Sequence, residues 1–132
     1  MIVYVDTSAA MKLVIEEGES ATLAEHLEKG RADRGDRLVS SLLLHTELHC
    51  AAGRRAGQID PRAVTDVLSA ISLIDVERSD LLTAPLLPGH LRSSDAIHLA
   101  TALRAGADEM VVYDVELGAA AQTAGIEVAR PG

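Results

Sequence analysis

MIVYVDTSAAM, residues Met1 to Met11, is the stretch whose reading decides the fold. Ile2, Val3, Tyr4 and Val5 form a β-branched, aromatic and apolar run without alternation, the pattern of a strand buried on both faces of a sheet. The run stops at Asp6. Thr7 and Ser8 are helix-capping types and a helix-favouring segment follows, so the chain leaves a buried strand and enters a helix at a carboxylate. In an open α/β sheet the carboxyl end of a central strand is where ligands collect. Asp6 is therefore either a helix cap or part of a site, and the other acids of the chain must decide which.

Outward from this stretch, strands and helices alternate. Helices are predicted over Ser8 to Glu17 with Gly18 as the stop, and over Ser20 to Arg34, where Leu23 and Leu27 mark a buried face. RLVSS (Arg37 to Ser41) predicts a second strand, leading into a helix from Leu42 to Ala56 that Gly57 closes. Asp60-Pro61 opens the next helix with an acid at the cap and proline in the first turn; Val64, Val67, Leu68 and Ile71 recur at helical spacing. Leu73 to Val76 predicts a third strand, and Ser79-Asp80 begins a short Leu-rich helix ending near Pro88-Gly89. A further helix, capped by Ser93 or Ser94, runs to Arg104 with Gly106 as its stop. Met110 to Tyr113, Val115 to Ala124 and Ile126 to Ala129 predict strand, helix and strand. This alternation, without repeats or linkers, implies one α/β domain over residues 1–132, with a central parallel sheet of four to five strands between two helical layers.

Composition narrows the function classes. Apolar residues make up 48% of the chain, yet Phe and Trp are absent, so Leu, Val, Ile and Ala must build the core. Twelve basic and twenty acidic residues give a formal charge of −8, the opposite of a generic nucleic-acid coat. Any RNA or DNA must bind locally, and the charge suits a basic partner or a metal cation. The single cysteine, Cys50, excludes an internal disulfide; its apolar helical context predicts a buried, inert thiol and a reducing cytoplasm. Asp6 cuts the apolar start too short for a signal-peptide core, and no run reaches membrane length, so a soluble intracellular protein is expected.

Four acids are candidates for a site, each beside an ordinary structural role. In LLLHTELHCAAGRRAG, Leu44, Leu48 and Ala51 form the apolar stripe, and Glu47 lies among them at three-and-four spacing. Burying a carboxylate costs several kcal/mol unless a cation or hydrogen-bond donors offset it. Asp95 occupies the first turn of SSDAIHLATAL, where an acid also complements the helix dipole. Asp114 ends the strand MVVY as Asp6 ends IVYV, so on adjacent parallel strands both reach one crevice. Carboxylates converging without Lys or Arg repel one another, and a hard divalent cation removes the conflict. Oxygen ligands favour Mg²⁺ or Mn²⁺ over zinc, and Mg²⁺ retains waters that serve as nucleophiles. Phosphodiester hydrolysis is the chemistry this arrangement suits.

VDTSAAMKL, TELHCA, SSDAIHLATAL and VVYDVEL, in this order and spanning nearly the whole chain, resemble the four signature segments of PIN-domain ribonucleases, particularly the VapC-like toxins of type II toxin–antitoxin systems. The resemblance implies a PIN-like fold and a Mg²⁺- or Mn²⁺-dependent endoribonuclease acting on tRNA, rRNA or mRNA, inhibited by a cognate VapB-like antitoxin. It assigns Asp6, Glu47, Asp95 and Asp114 to the metal site and catalysis, with Ser8 supporting them from behind. The family often has Thr or Ser two residues before its last acid, whereas this chain has Val112, which leaves Asp114 or Glu116 to complete the set. A homodimer is expected, with Met11 and Val14 on the first helix receiving an apolar antitoxin segment. The rival reading is a PIN-like module that binds RNA or protein without cutting; the presence of all four acids argues against it.

Other motifs point elsewhere or nowhere. His45 and His49 are four apart, but the intervening Glu47 is turned about 200° from His45 at 3.6 residues per turn, unlike HExxH. They read as surface histidines, and His98 as a packed or solvent-facing one. Arg54, Arg55 and Arg92 are candidates for holding phosphates at the rim of the acidic crevice. No GxG phosphate loop occurs, and the only lysines are Lys12 and Lys29. A second Asp two residues after Asp6, which a haloacid-dehalogenase-like phosphatase needs, is replaced by Ser8.

Overall fold

The computed structural model describes Met1–Gly132. Its centre is β1 (Ile2–Val5), in a five-stranded, all-parallel sheet with β2 (Arg37–Ser41), β3 (Ser72–Ile74), β4 (Glu109–Val111) and β5 (Glu127–Ala129). The strand order is β3-β2-β1-β4-β5. Tyr4 lies opposite Val39 of β2 and Met110 of β4. Parallel neighbours need crossovers, and seven helices supply the flanking layers: α1 (Thr7–Val14), α2 (Ser20–Arg34), α3 (Leu43–Arg54), α4 (Pro61–Ser69), α5 (Arg78–Thr83), α6 (Ser93–Arg104) and α7 (Val115–Thr123). The three-layer α/β/α architecture is the one predicted. No helix is long and apolar enough to cross a membrane.

The period of two along β1 divides the core. Val3 and Val5 face one layer, packing with Ala9 and Ala10 of α1, Leu23 of α2 and Leu44 and Leu48 of α3. Tyr4 faces the other, with Leu99 and Ala102 of α6 and Leu117 and Ala121 of α7. Tyr4, Met110 and His98 join the aliphatic core that composition predicted. Met11 and Val14 are partly spent on packing against the first cluster.

Local chemistry fixes most boundaries. Asp6, Asp60 and Asp114 cap α1, α4 and α7 through their side chains, and Gly35, at φ +67, ends α2 in the left-handed conformation glycine favours. Several boundaries differ from expectation: β3 ends at Ile74 rather than Val76, and β4 at Val111 rather than Tyr113. The first helix ends at Val14 rather than Glu17. Neither Ser93 nor Ser94 caps α6: Arg92 occupies the cap position, with no side-chain hydrogen bond there.

Candidate active site

β1 delivers Asp6 to the carboxyl edge of the sheet between β2 and β4, where the connections leave in opposite directions. The carboxylate is buried. Its Oδ2 accepts hydrogen bonds from Ser8 N (3.1 Å) and Ser8 Oγ (2.7 Å). The same Ser8 hydroxyl accepts from Tyr113 N (2.9 Å) and Asp114 N (3.3 Å), tying the acid after β1 to the backbone beyond β4. Asp6 Oδ1 is buried and has no partner.

Glu47 reaches this edge from the opposite direction to α6. It belongs to α3, which packs on the Val3/Val5 face, whereas His98 belongs to α6 on the Tyr4 face. They meet over the end of β1: His98 Nε2 and Thr7 Oγ1 (2.9 Å) both contact Glu47 Oε1, and Thr7 Oγ1 lies 3.1 Å from His98 Nε2. His98 is fully buried. Its Nδ1 is 2.7 Å from Tyr4 Oη, which accepts from Ser41 N at 3.1 Å. Burial works against the Glu47 charge, but hydrogen bonds from His98 and Thr7 hold its carboxyl below the ordinary range. These donors explain how a carboxylate is tolerated on an apolar stripe.

Asp95, in the first turn of α6, is half-buried. Burial, followed by repulsion from Asp6 and Asp114, pushes its carboxyl up to about 6. Asp95, Asp114, Glu116 and Arg92 line a cavity of about 290 Å³, so both candidates for the last acid face Asp95. Asp114 is exposed, and its Oδ1 accepts from Leu117 N at 2.9 Å as the α7 cap. Val112, where the family pattern often has Thr or Ser, is wholly buried core; the link to Ser8 comes through the Asp114 backbone. On the other flank, Thr7, Glu47, Thr46, Arg54 and Arg55 line a second cavity of about 450 Å³. Arg54, Arg55 and Arg92 form no ion pair within the chain.

The four predicted acids therefore share one edge of the sheet and act on one another electrically, but no three His, Cys, Asp or Glu side chains stand close enough to hold an ion. The expectation of oxygens already gathered in a single grip is corrected to this looser arrangement. Asp6, Glu47 and Asp114 are each held by hydrogen bonds of their own, from Ser8, from His98 and Thr7, and from Leu117 N. The donor set still fits a hard cation: its oxygens are carboxylate, Asp6 Oδ1 is buried and unpartnered, and Asp95 carries a charge its neighbours oppose.

Sequence reasoning missed Thr7, Tyr4 and His98 as members of this network. A polar His and Thr inside otherwise matching segments were the available signals. Cys50, predicted to be buried, is exposed and lines the cavity beside Glu47; it sits three residues from Glu47, where α3 turns its surface outward. His45 and His49 are on the surface, as expected, with ring centroids 4.6 Å apart.

Fold and site together define a doubly wound protein with an acidic edge, and comparison identifies its kind. The PIN domain model matches residues 3–122, and the chain belongs to the PIN domain family. Among curated proteins it is similar to Ribonuclease VapC46 of Mycobacterium tuberculosis, 38% identical over 132 residues, covering 98% of this chain and 97% of the relative. Ribonuclease VapC35 of the same organism is 36% identical over 137 residues, with 99% and 98% covered. In fold it is similar to VapBC2 from Rickettsia felis, solved bound to a promoter DNA fragment (TM-score 0.74, 12% identity, 100% of both chains). It is also similar to M. tuberculosis VapC20, a sarcin-ricin loop cleaving toxin (TM-score 0.73, 16% identity, covering 98% and 99%).

Proposed function

We propose that this chain is a Mg²⁺- or Mn²⁺-dependent endoribonuclease of the VapC kind, hydrolysing RNA phosphodiester bonds in the cytoplasm until a cognate antitoxin binds it. The observation that carries this reading is Asp6: a buried carboxylate at the end of the central strand, one oxygen fixed by Ser8 and the other without a partner. An apolar interior does not leave such an atom unpaired without cost, about 1–3 kcal/mol. The names of the relatives supply the reaction class.

Asp6, Glu47, Asp95 and Asp114 would hold the cation, with Glu116 facing the same cavity as Asp114. When bound, such a cation lowers the pKa of water and neutralises charge on a phosphoryl group. The chain's own residues do the rest. Ser8 and Thr7 orient Asp6 and Glu47, while Arg92 on one flank and Arg54 and Arg55 on the other would take phosphates of the RNA backbone. The −8 net charge confines RNA contact to this edge. A homodimer, with the partly exposed apolar side chains of α1 meeting the antitoxin, remains part of the proposal.

The test uses the purified full chain and total RNA, with cut ends mapped by sequencing. Cleavage should require Mg²⁺ or Mn²⁺, stop with chelator, and vanish in Asp6→Asn, which should fold at least as stably as the wild type. Undiminished cleavage by a well-folded Asp6→Asn protein, or in chelator, would overturn the proposal.

A further inference from the structure

His98 is fully buried and yet uses both ring nitrogens on polar partners. If its task were packing, a leucine would fill the space without burying two polar atoms. The direction of the hydrogen bonds tells more. Tyr4 Oη, which accepts from Ser41 N–H, gives its own proton to His98 Nδ1, because in the neutral ring the other nitrogen must carry the ring proton. That nitrogen, Nε2, faces the ionised carboxylate of Glu47, which can only accept, and donates to its Oε1. Thr7 Oγ1 donates to that same oxygen. Oε1 is thus engaged twice within the chain, and Oε2 carries no protein hydrogen bond. His98 also lies three residues after Asp95 on α6, so one helix sets one acid directly and reaches across the sheet edge to set another.

We infer that His98 is a positioning residue for Glu47: with Tyr4 fixing its tautomer and ring orientation, it anchors Oε1 so that Oε2 is presented to the cation. This rests on the reading of Glu47 as a cation ligand. Residues behind a ligand that fix its orientation are worth about 10–100-fold in metal affinity or activity.

Side-chain amides separate the two nitrogens. Glutamine carries its amide nitrogen at about the reach of Nε2, asparagine at about that of Nδ1. In the full-length chain, Mn²⁺ affinity measured by calorimetry should fall about 10-fold or more in His98→Asn and His98→Leu. His98→Gln should stay within about 3-fold of wild type, because a donor to Glu47 is restored, and Tyr4→Phe should lie between. Cleavage of RNA should follow the same order. A merely structural role predicts instead that Leu does as well as Gln, and that Gln and Asn behave alike. Urea denaturation of each variant separates folding from binding, and should Leu fail to fold, the Gln and Asn pair carries the comparison. If the wild type binds Mn²⁺ and cleaves RNA while His98→Asn matches His98→Gln, this inference alone is overturned. If the wild type does neither, the parent reading fails and takes it along.

Discussion

Replacing Asp95 with Asn removes a charge that the folded chain opposes, and the size of the effect can be worked from the site. Burial, with Asp6 and Asp114 adding repulsion, raises the carboxyl from 3.8 to about 6. A shift of that size corresponds to about 3 kcal/mol between the two protonation states. Asp95 is only half-buried, and solvent screening reduces this to about 1 kcal/mol. The acid also sits in the first turn of α6, where losing its interaction with the helix dipole takes back about 0.3–0.5 kcal/mol. The net gain is roughly 0.5–0.7 kcal/mol, which for a chain of this size raises Tm by about 2–3 °C. The sign with pH follows from the raised folded value. The wild type carries the penalty when Asp95 is ionised, above about 6, and loses it as pH falls through that value toward the unfolded one. The gap between variant and wild type should therefore be fully open at neutral pH and close in acid. Calorimetric melting in chelator at several pH values measures it, and adding Mn²⁺ should narrow it by stabilising the wild type preferentially. A variant that melts at or below the wild type in chelator, with a gap indifferent to pH, would refute the account of repulsion at this edge.

Two further outcomes concern arginines, one paired and one pair unpaired. Arg104→Ala leaves the buried carboxylate of Asp80 without its guanidinium, which binds it through Nε at 2.8 Å and a terminal nitrogen at 2.9 Å. Stability in urea should fall by about 3 kcal/mol, with the midpoint moving and the slope constant. Arg54→Ala with Arg55→Ala should weaken RNA binding and raise KM with little change in kcat. The dependence of log affinity on log salt should flatten by about 0.7 for each phosphate contact removed, while urea stability stays within about 0.5 kcal/mol.

Much of this molecule was legible in its sequence because the relevant forces act over a few residues. The uninterrupted run before Asp6, the Asp60-Pro61 start of α4 and the Gly106 stop after α6 each encode their element locally, through hydrophobic period, capping and backbone freedom. That alternation was enough for the layered architecture, and the placing of acids at strand ends and on an apolar stripe was enough to nominate Asp6, Glu47 and Asp114, with Asp95 joining them through the motif SSDAIHLATAL. What the sequence could not supply was proximity between distant segments. Tyr4, Thr7, Glu47 and His98 meet only because β1 lies at the centre of the order β3-β2-β1-β4-β5, which brings helices from opposite faces to one edge. The same long-range packing decided that Cys50 faces outward, that Arg92 rather than a serine precedes α6, and that the carboxylates stand apart rather than clasped together. Periodicity tells a side chain which face to take; only the assembled sheet tells it what stands opposite.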